Sequence, residues 1–188
     1  MFNFQKTALI FSFLLTAISI YAQTPVKKIA DDKVIENAIL VEVNAYRKKH
    51  HLAPLKMEQH ISNQAKIHAS KMASHQTPFG HKNFYKRVAT LRKEVTNAGA
   101  AAENVAFNYK DAQDVVKNWM LSPGHERNIL GNYNLTGVGI ARDARGKMYF
   151  TQIFVKTGAP QQQTTRYALR ARHFPQLSFS SIFKRTTS

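Results

Sequence analysis

The chain is 188 residues long, has 27 Lys and Arg against 11 Asp and Glu, and contains no cysteine. That length fits one domain plus a tail, and without cysteine no disulfide framework can brace it, so a hydrophobic core has to carry the fold. The formal charge of +16 favours anionic partners; for an exported chain these are lipid headgroups and envelope glycans, and nothing points to a specific nucleic acid.

Residues 1–22 read as a signal peptide. Lys6 precedes an apolar run from Ala8 to Ile20, and Ala22 is a small residue suited to the cleavage position. The run is shorter than the roughly 18 apolar residues of a membrane span. No later segment could cross a bilayer, so the mature chain is expected to be secreted or periplasmic. The lack of cysteine points to a bacterial exported protein. Residues 23–30 are polar, carry Pro25 and read as a linker.

From Asp31 the pattern turns helical. Ile35, Ile39, Val43 and Tyr46 share one face. Asp31 and Asp32 suit the start of a helix dipole, and the run Arg47 to His51 suits its end. After a break at Pro54, Ile61, Ala65, His68, Ala69 and Met72 line a second helix ending near His75. Phe84, Tyr85, Val88 and Leu91 allow a further helix before Val95. Residues 97–102 are small and read as a loop or a close-packed crossing, leading into a short extended stretch over 103–107. Residues 111–121 form the third main helix, with Ala112, Val115, Val116 and Trp119 on its buried face.

Ser122-Pro123-Gly124-His125 then combines turn chemistry with a helix start, so His125 stands at the mouth of a short helix. Residues 136–141 and 148–155 are strand-like, and a turn at Gly146 makes them an antiparallel hairpin. The domain runs from 31 to 157. Residues 158–188 form a basic tail whose aromatic and aliphatic side chains could dock on the domain, a membrane surface or a partner.

His81, Glu103 and His125 stand in apolar settings far apart in the chain, and are expected to share one recess. Two imidazoles can bind a divalent metal such as Zn²⁺, with the carboxylate as third ligand or orienting group. The other reading makes Glu103 a buried tether that accepts backbone N–H bonds and ties its loop to the helix opened by His125. His68 reads as a core histidine. His50 and His51 read as solvated. No Gly-x-Ser-x-Gly elbow is present. Ser122 lies close to His125, but proximity in sequence does not supply the geometry of a triad.

Several segments then match one family in order. Val43-Asn44-Ala45-Tyr46-Arg47 and Pro54-Leu55-Lys56 come first, followed by Phe79-Gly80-His81 and Ala102-Glu103-Asn104-Val105-Ala106. The run from Trp119 through Ser122-Pro123-Gly124-His125 to Leu130 follows, then Val138-Gly139-Ile140 and residues 149–154. The span from Ile35 to Val155 resembles the CAP superfamily, or SCP domain, in its bacterial exported branch. The resemblance implies an α+β fold: a three-layer α/β/α sandwich around a small, mainly antiparallel sheet. It implies a ligand cleft lined by His81, Glu103, His125 and Ser122, with His81 and His125 as metal candidates. It also implies supporting roles for Asn44, Arg47, Asn104, Trp119 and Asn128. Ser122 occupies the position where many members have a second glutamate, and Glu126 belongs to a different position.

The expected function is binding of a lipid, a sterol-like molecule or an anionic envelope polymer, with no cofactor required. The alternative is a divalent-metal-assisted hydrolase in which His81 and His125 hold Zn²⁺ and Glu103 is the base. A third possibility is an adhesive role for the tail.

Overall fold

A computed structural model describes residues 25–158, with side chains from Asp31 onward. The signal peptide expected at 1–22 and the tail expected past Gly158 lie outside the described residues. Helix α1 spans Pro25–Lys49. The linker expected over 23–30 is therefore helical from Pro25 on. Proline is well suited to a first helical position, and no breaker follows it before Asp31. Ile39 and Val43 are fully buried on the face that their spacing predicts.

The earlier start changes the role of Asp32. It lies inside the helix and does not serve the dipole. Its buried carboxylate accepts from the ammonium of Lys66, 2.9 Å away, and from the guanidinium of Arg142.

Strand β1 (Lys56–Met57) and helix α2 (Gln59–Ala73) come next, the helix capped by the Glu58 carboxylate accepting from the Ile61 amide. Helix α3 spans Phe84–Glu94 and strand β2 Ala98–Phe107. Helices α4 (Ala112–Leu121) and α5 (Pro123–Ile129) lead to strands β3 (Leu135–Arg142) and β4 (Met148–Thr157). The small residues 98–102, expected as a loop or a close-packed crossing, extend β2. Pairing with β4 draws them into the sheet, with an irregularity between Ala98 and Ala101.

The sheet order is β1-β3-β4-β2. Strand β1 runs parallel to β3, and the other two pairings are antiparallel. Alternation along the strands sends side chains to two helical layers. On one face Phe150, Phe154, Val138 and Ile140 pack with Ile39, Val43, Val115, Trp119 and Ile129 of α1, α4 and α5. Full burial of each large side chain in this layer contributes about 1.5–3 kcal/mol. On the other face Ile153 and Val155 meet Ile61, Ala65 and Leu91 of α2 and α3, while Met72 and Ala73 meet Val105 and Tyr149. The architecture is thus the α+β three-layer sandwich.

Close approach of α2 to β3 requires glycine. A Cβ at Gly137 would lie 2.2 Å from the Ser62 amide nitrogen, and one at Gly139 would lie 2.1 Å from that of Lys66. Strand β2 ends the sheet on its other side, and its free edge carries the site.

Candidate functional site

Strand register explains why one edge strand holds two histidine-bearing segments. Asn104 pairs with Gln152, Ala106 with Phe150, and the Asn108 amide donates to the Met148 carbonyl at 2.8 Å. Even-numbered residues therefore bond to β4, and the backbone groups of Glu103 and Val105 point to the open edge. Side chains from the α1/α4/α5 layer satisfy both carbonyls. Asn128 donates to that of Glu103 at 3.2 Å, and the Trp119 indole to that of Val105 at 3.3 Å.

The Glu103 side chain points to the α2/α3 face and is 1% exposed. Arg87, on α3, grips it with two hydrogen bonds, Nε to Oε2 at 2.8 Å and Nη2 to Oε1 at 2.6 Å. His81 Nδ1 donates to Oε1 at 3.0 Å. An ionised carboxylate can only accept, so that nitrogen carries a proton, and in the neutral ring Nε2 is the acceptor.

The segment bearing His81 is held from both sides. His68 Nε2 donates to the Gly80 carbonyl at 2.8 Å, and Arg87 Nη1 to the Lys82 carbonyl at 2.9 Å. The His81 side chain itself remains 51% exposed. His68 is 2% exposed and 3.9 Å from Glu103 Oε1. Burial pushes its pKa below the usual histidine range, against the opposing pull of Glu103.

His125 reaches the site from the opposite face. Asn104, fully buried, donates to its carbonyl at 3.2 Å and accepts from Asn128 at 2.9 Å. Burial lowers the His125 pKa, and His81 adds a smaller push in the same direction. Among the described residues, no hydrogen bond or ion pair joins His125 to Glu103.

Glu103 is thus a tether, but by a different route from the one its sequence setting suggests. Its carboxylate takes side-chain donors, not backbone N–H groups, because strand alternation turns it away from α5. The tie to α5 runs through its own carbonyl and through Asn104. Sequence reasoning missed Arg87. The available signal was its place between Phe84 and Leu91 on the buried face of α3, a position where arginine implies a buried acid. Tyr85, expected on that face, is 69% exposed.

The supporting residues behave as anchors. Asn44 exchanges two hydrogen bonds with the Leu55 backbone, at 3.0 and 2.8 Å. Arg47 donates to the carbonyls of Ala53, Ile129, Gly131 and Tyr133, holding the end of α5 against α1. Ser122 links α4 to α5, and its hydroxyl makes no cap bond. Glu126 turns toward α1, where it accepts from the Tyr46 phenol and raises that group's pKa. It cannot stand in for the missing second glutamate.

The donor set does not fit a catalytic zinc. His81 Nε2 and the His125 ring offer two ligands, while Arg87 and His81 occupy the Glu103 carboxylate. Among the described residues, no group of three His, Cys, Asp or Glu could hold a metal ion, and a catalytic zinc site takes three protein ligands. Two clefts lie apart from these residues. One of about 440 Å³ is lined by Glu42, Lys110, Asp111, Gln113, Asp114, Lys117 and Met120. Another of about 550 Å³ lies between the end of α2 and the β3–β4 turn.

Comparison with known proteins bears on this geometry. The chain is 31% identical over 141 residues to the uncharacterized Bacillus subtilis membrane protein YlbC, covering 69% of this chain and 38% of that protein. It is 31% identical over 125 residues to the uncharacterized Bacillus subtilis protein YkwD, covering 64% and 46%. It therefore spans less than half the length of either relative. The fold matches an outer surface protein from Borrelia burgdorferi with a TM-score of 0.60 and 21% identity, covering 68% of this chain and 96% of that one. It also matches an extracellular SCP-domain protein from Bacillus anthracis, with a TM-score of 0.60 and 24% identity over 71% and 44% of the two chains. The family model for the cysteine-rich secretory proteins, CAP, matches residues 40–154. Although it has no cysteine, the chain belongs to the CAP family.

Proposed function

We propose that this CAP-domain chain is an exported binding protein whose ligand is an anionic cell-envelope polymer, and that it is not an enzyme. One observation carries the non-catalytic part: the Arg87 clamp on Glu103. A general base must be free to take a proton, and a metal ligand must be free to coordinate. A buried carboxylate held by a bidentate guanidinium does neither readily.

The excess of 27 basic over 11 acidic residues supports an anionic partner. The cleft of about 550 Å³ carries Arg142 and Arg145 against one acid, Asp143, which suits an anionic ligand. Export rests on the apolar run at 8–20 and on the extracellular Bacillus anthracis relative. Among the described residues, no helix is long and apolar enough to cross a membrane.

The test is co-sedimentation of the purified protein with cell-wall fragments and with anionic lipid vesicles at rising salt. Wall binding that weakens steeply with ionic strength supports the proposal. Retention by neither material at low salt removes it. Hydrolysis of wall fragments that is lost in His125→Ala would favour an enzyme instead.

A further inference from the structure

We infer that Phe79, Phe107, Lys147 and Arg145 form a subsite for the acidic sugar rings of a glycan chain. The inference rests on the anionic-polymer reading above and names its chemical class. The sequence already places Phe79 two residues before His81, and Phe107 four residues after Glu103 on the same strand. Folding puts both aromatics beside the histidine site, at the end of β2.

There the rings stand in series. The centroids of Phe79 and Phe107 are 6.4 Å apart, and those of Phe107 and Tyr149 are 4.4 Å apart. Tyr149 is buried and anchors the row in the core, whereas Phe79 is 55% exposed. Lys147 Nζ lies 5.7 Å from the Phe107 centroid. An aromatic face carries negative potential and attracts the C–H face of a sugar ring, just as it attracts the lysine ammonium.

Ala73 and Ala141 pack in one cluster with Tyr149 and Phe107, and they also line the cleft of about 550 Å³ together with His75, Arg142 and Arg145. The cations there are not equally available. Arg142 is engaged by Asp32. The Arg145 side chain is 71% exposed, and its Nε is 3.7 Å from Asp143 Oδ2. Asp143 is the acid in this cleft, and its Oδ1 accepts the amides of Arg145 and Lys147, each at 2.9 Å. That carboxylate shapes the turn that presents the two cations. The patch therefore offers ring faces beside positive charge, matching sugars that carry carboxylates.

A lipid surface fits less well. The other exposed apolar residues are spread over both helical layers, Val34, Val41 and Leu121 on α1 and α4 and Ile67 and Tyr85 on α2 and α3. Membrane insertion needs a contiguous apolar face.

The experiment measures binding of the purified protein to four probes: polygalacturonate (rings and charge), poly-glutamate (charge alone), dextran (rings alone) and phosphatidylglycerol vesicles. The wild type should prefer polygalacturonate to poly-glutamate and should ignore dextran. Phe79→Ala should weaken polygalacturonate binding about tenfold and leave poly-glutamate binding unchanged. Arg145→Gln should weaken both and flatten the salt dependence. Both side chains are exposed, and circular dichroism checks that the variants fold. Equal wild-type affinity for the two polyanions overturns the subsite, as does an unchanged Phe79→Ala. Vesicle binding that depends on Phe79, without polygalacturonate binding, assigns the patch to membranes and also overturns it. If the wild type binds no polyanion at all, the anionic-polymer reading itself fails.

Discussion

The two faces of strand β2 perform the same task with different chemistry. On one face the Glu103 carboxylate, Arg87 and His68 hold the segment carrying His81 through charged groups buried at the sheet. On the other, the neutral amides of Asn104 and Asn128 hold the helix carrying His125. Both give a fixed backbone beneath an accessible ring. They differ in what happens when one partner is lost. A neutral amide leaves an unpaired dipole behind, whereas a buried ion leaves an uncompensated charge.

The largest effect should therefore come from the charged face. Arg87→Met strands the Glu103 carboxylate and is expected to destabilise by about 3–5 kcal/mol, measured by urea unfolding. A second substitution, Glu103→Gln, should restore part of that loss. If Arg87→Met is no worse than an amide deletion, the contrast between the faces disappears.

The neutral face comes next. Asn104→Ala removes the bond to the His125 carbonyl and one of the two acceptors of the Asn128 amide, and should cost about 1–3 kcal/mol. Asn128→Ala, at a half-buried site, should cost about 1 kcal/mol. Amide exchange at α5 should speed up in both variants, while exchange in α3 stays protected.

The smallest effect is a dependence on pH. His68 and His125 both have pKa values lowered by burial. The unfolded chain then binds protons more readily than the folded one as pH falls through the ordinary histidine range. Stability is complete above that range, declines through it, and levels off below the folded values. His68 lies deeper, so His68→Gln should flatten the slope of the urea midpoint between roughly pH 7.5 and pH 5 more than His125→Gln does. The reverse ranking would mean that the amide face is the more electrostatically constrained.

These two clamps also separate what could be read from the residues from what could not. The amphipathic spacing of Ile39 and Val43, the stripe from Ile61 to Met72 and the Gly146 hairpin carry their own periodicity and turn chemistry, so helices and strands followed from them. The convergence of His81 with Glu103 was legible through family motifs. Arg87 was not: its place on the buried face of α3 hints at an acid, but nothing local names Glu103 as that acid. Strand β1 was too short for any period, and residues 98–102 became strand only by pairing with β4.

Local chemistry in the sequence thus determined the main helices, the β3–β4 hairpin and their core faces. The tertiary structure decided the state of the Glu103 carboxylate. Whether an acid is a base, a ligand or a tether depends on which donors reach its oxygens, and here they come from α3 and from the segment after Gly80. Strand alternation sets which face those donors occupy, and it is the pairing of β2 with β4 that fixes its phase.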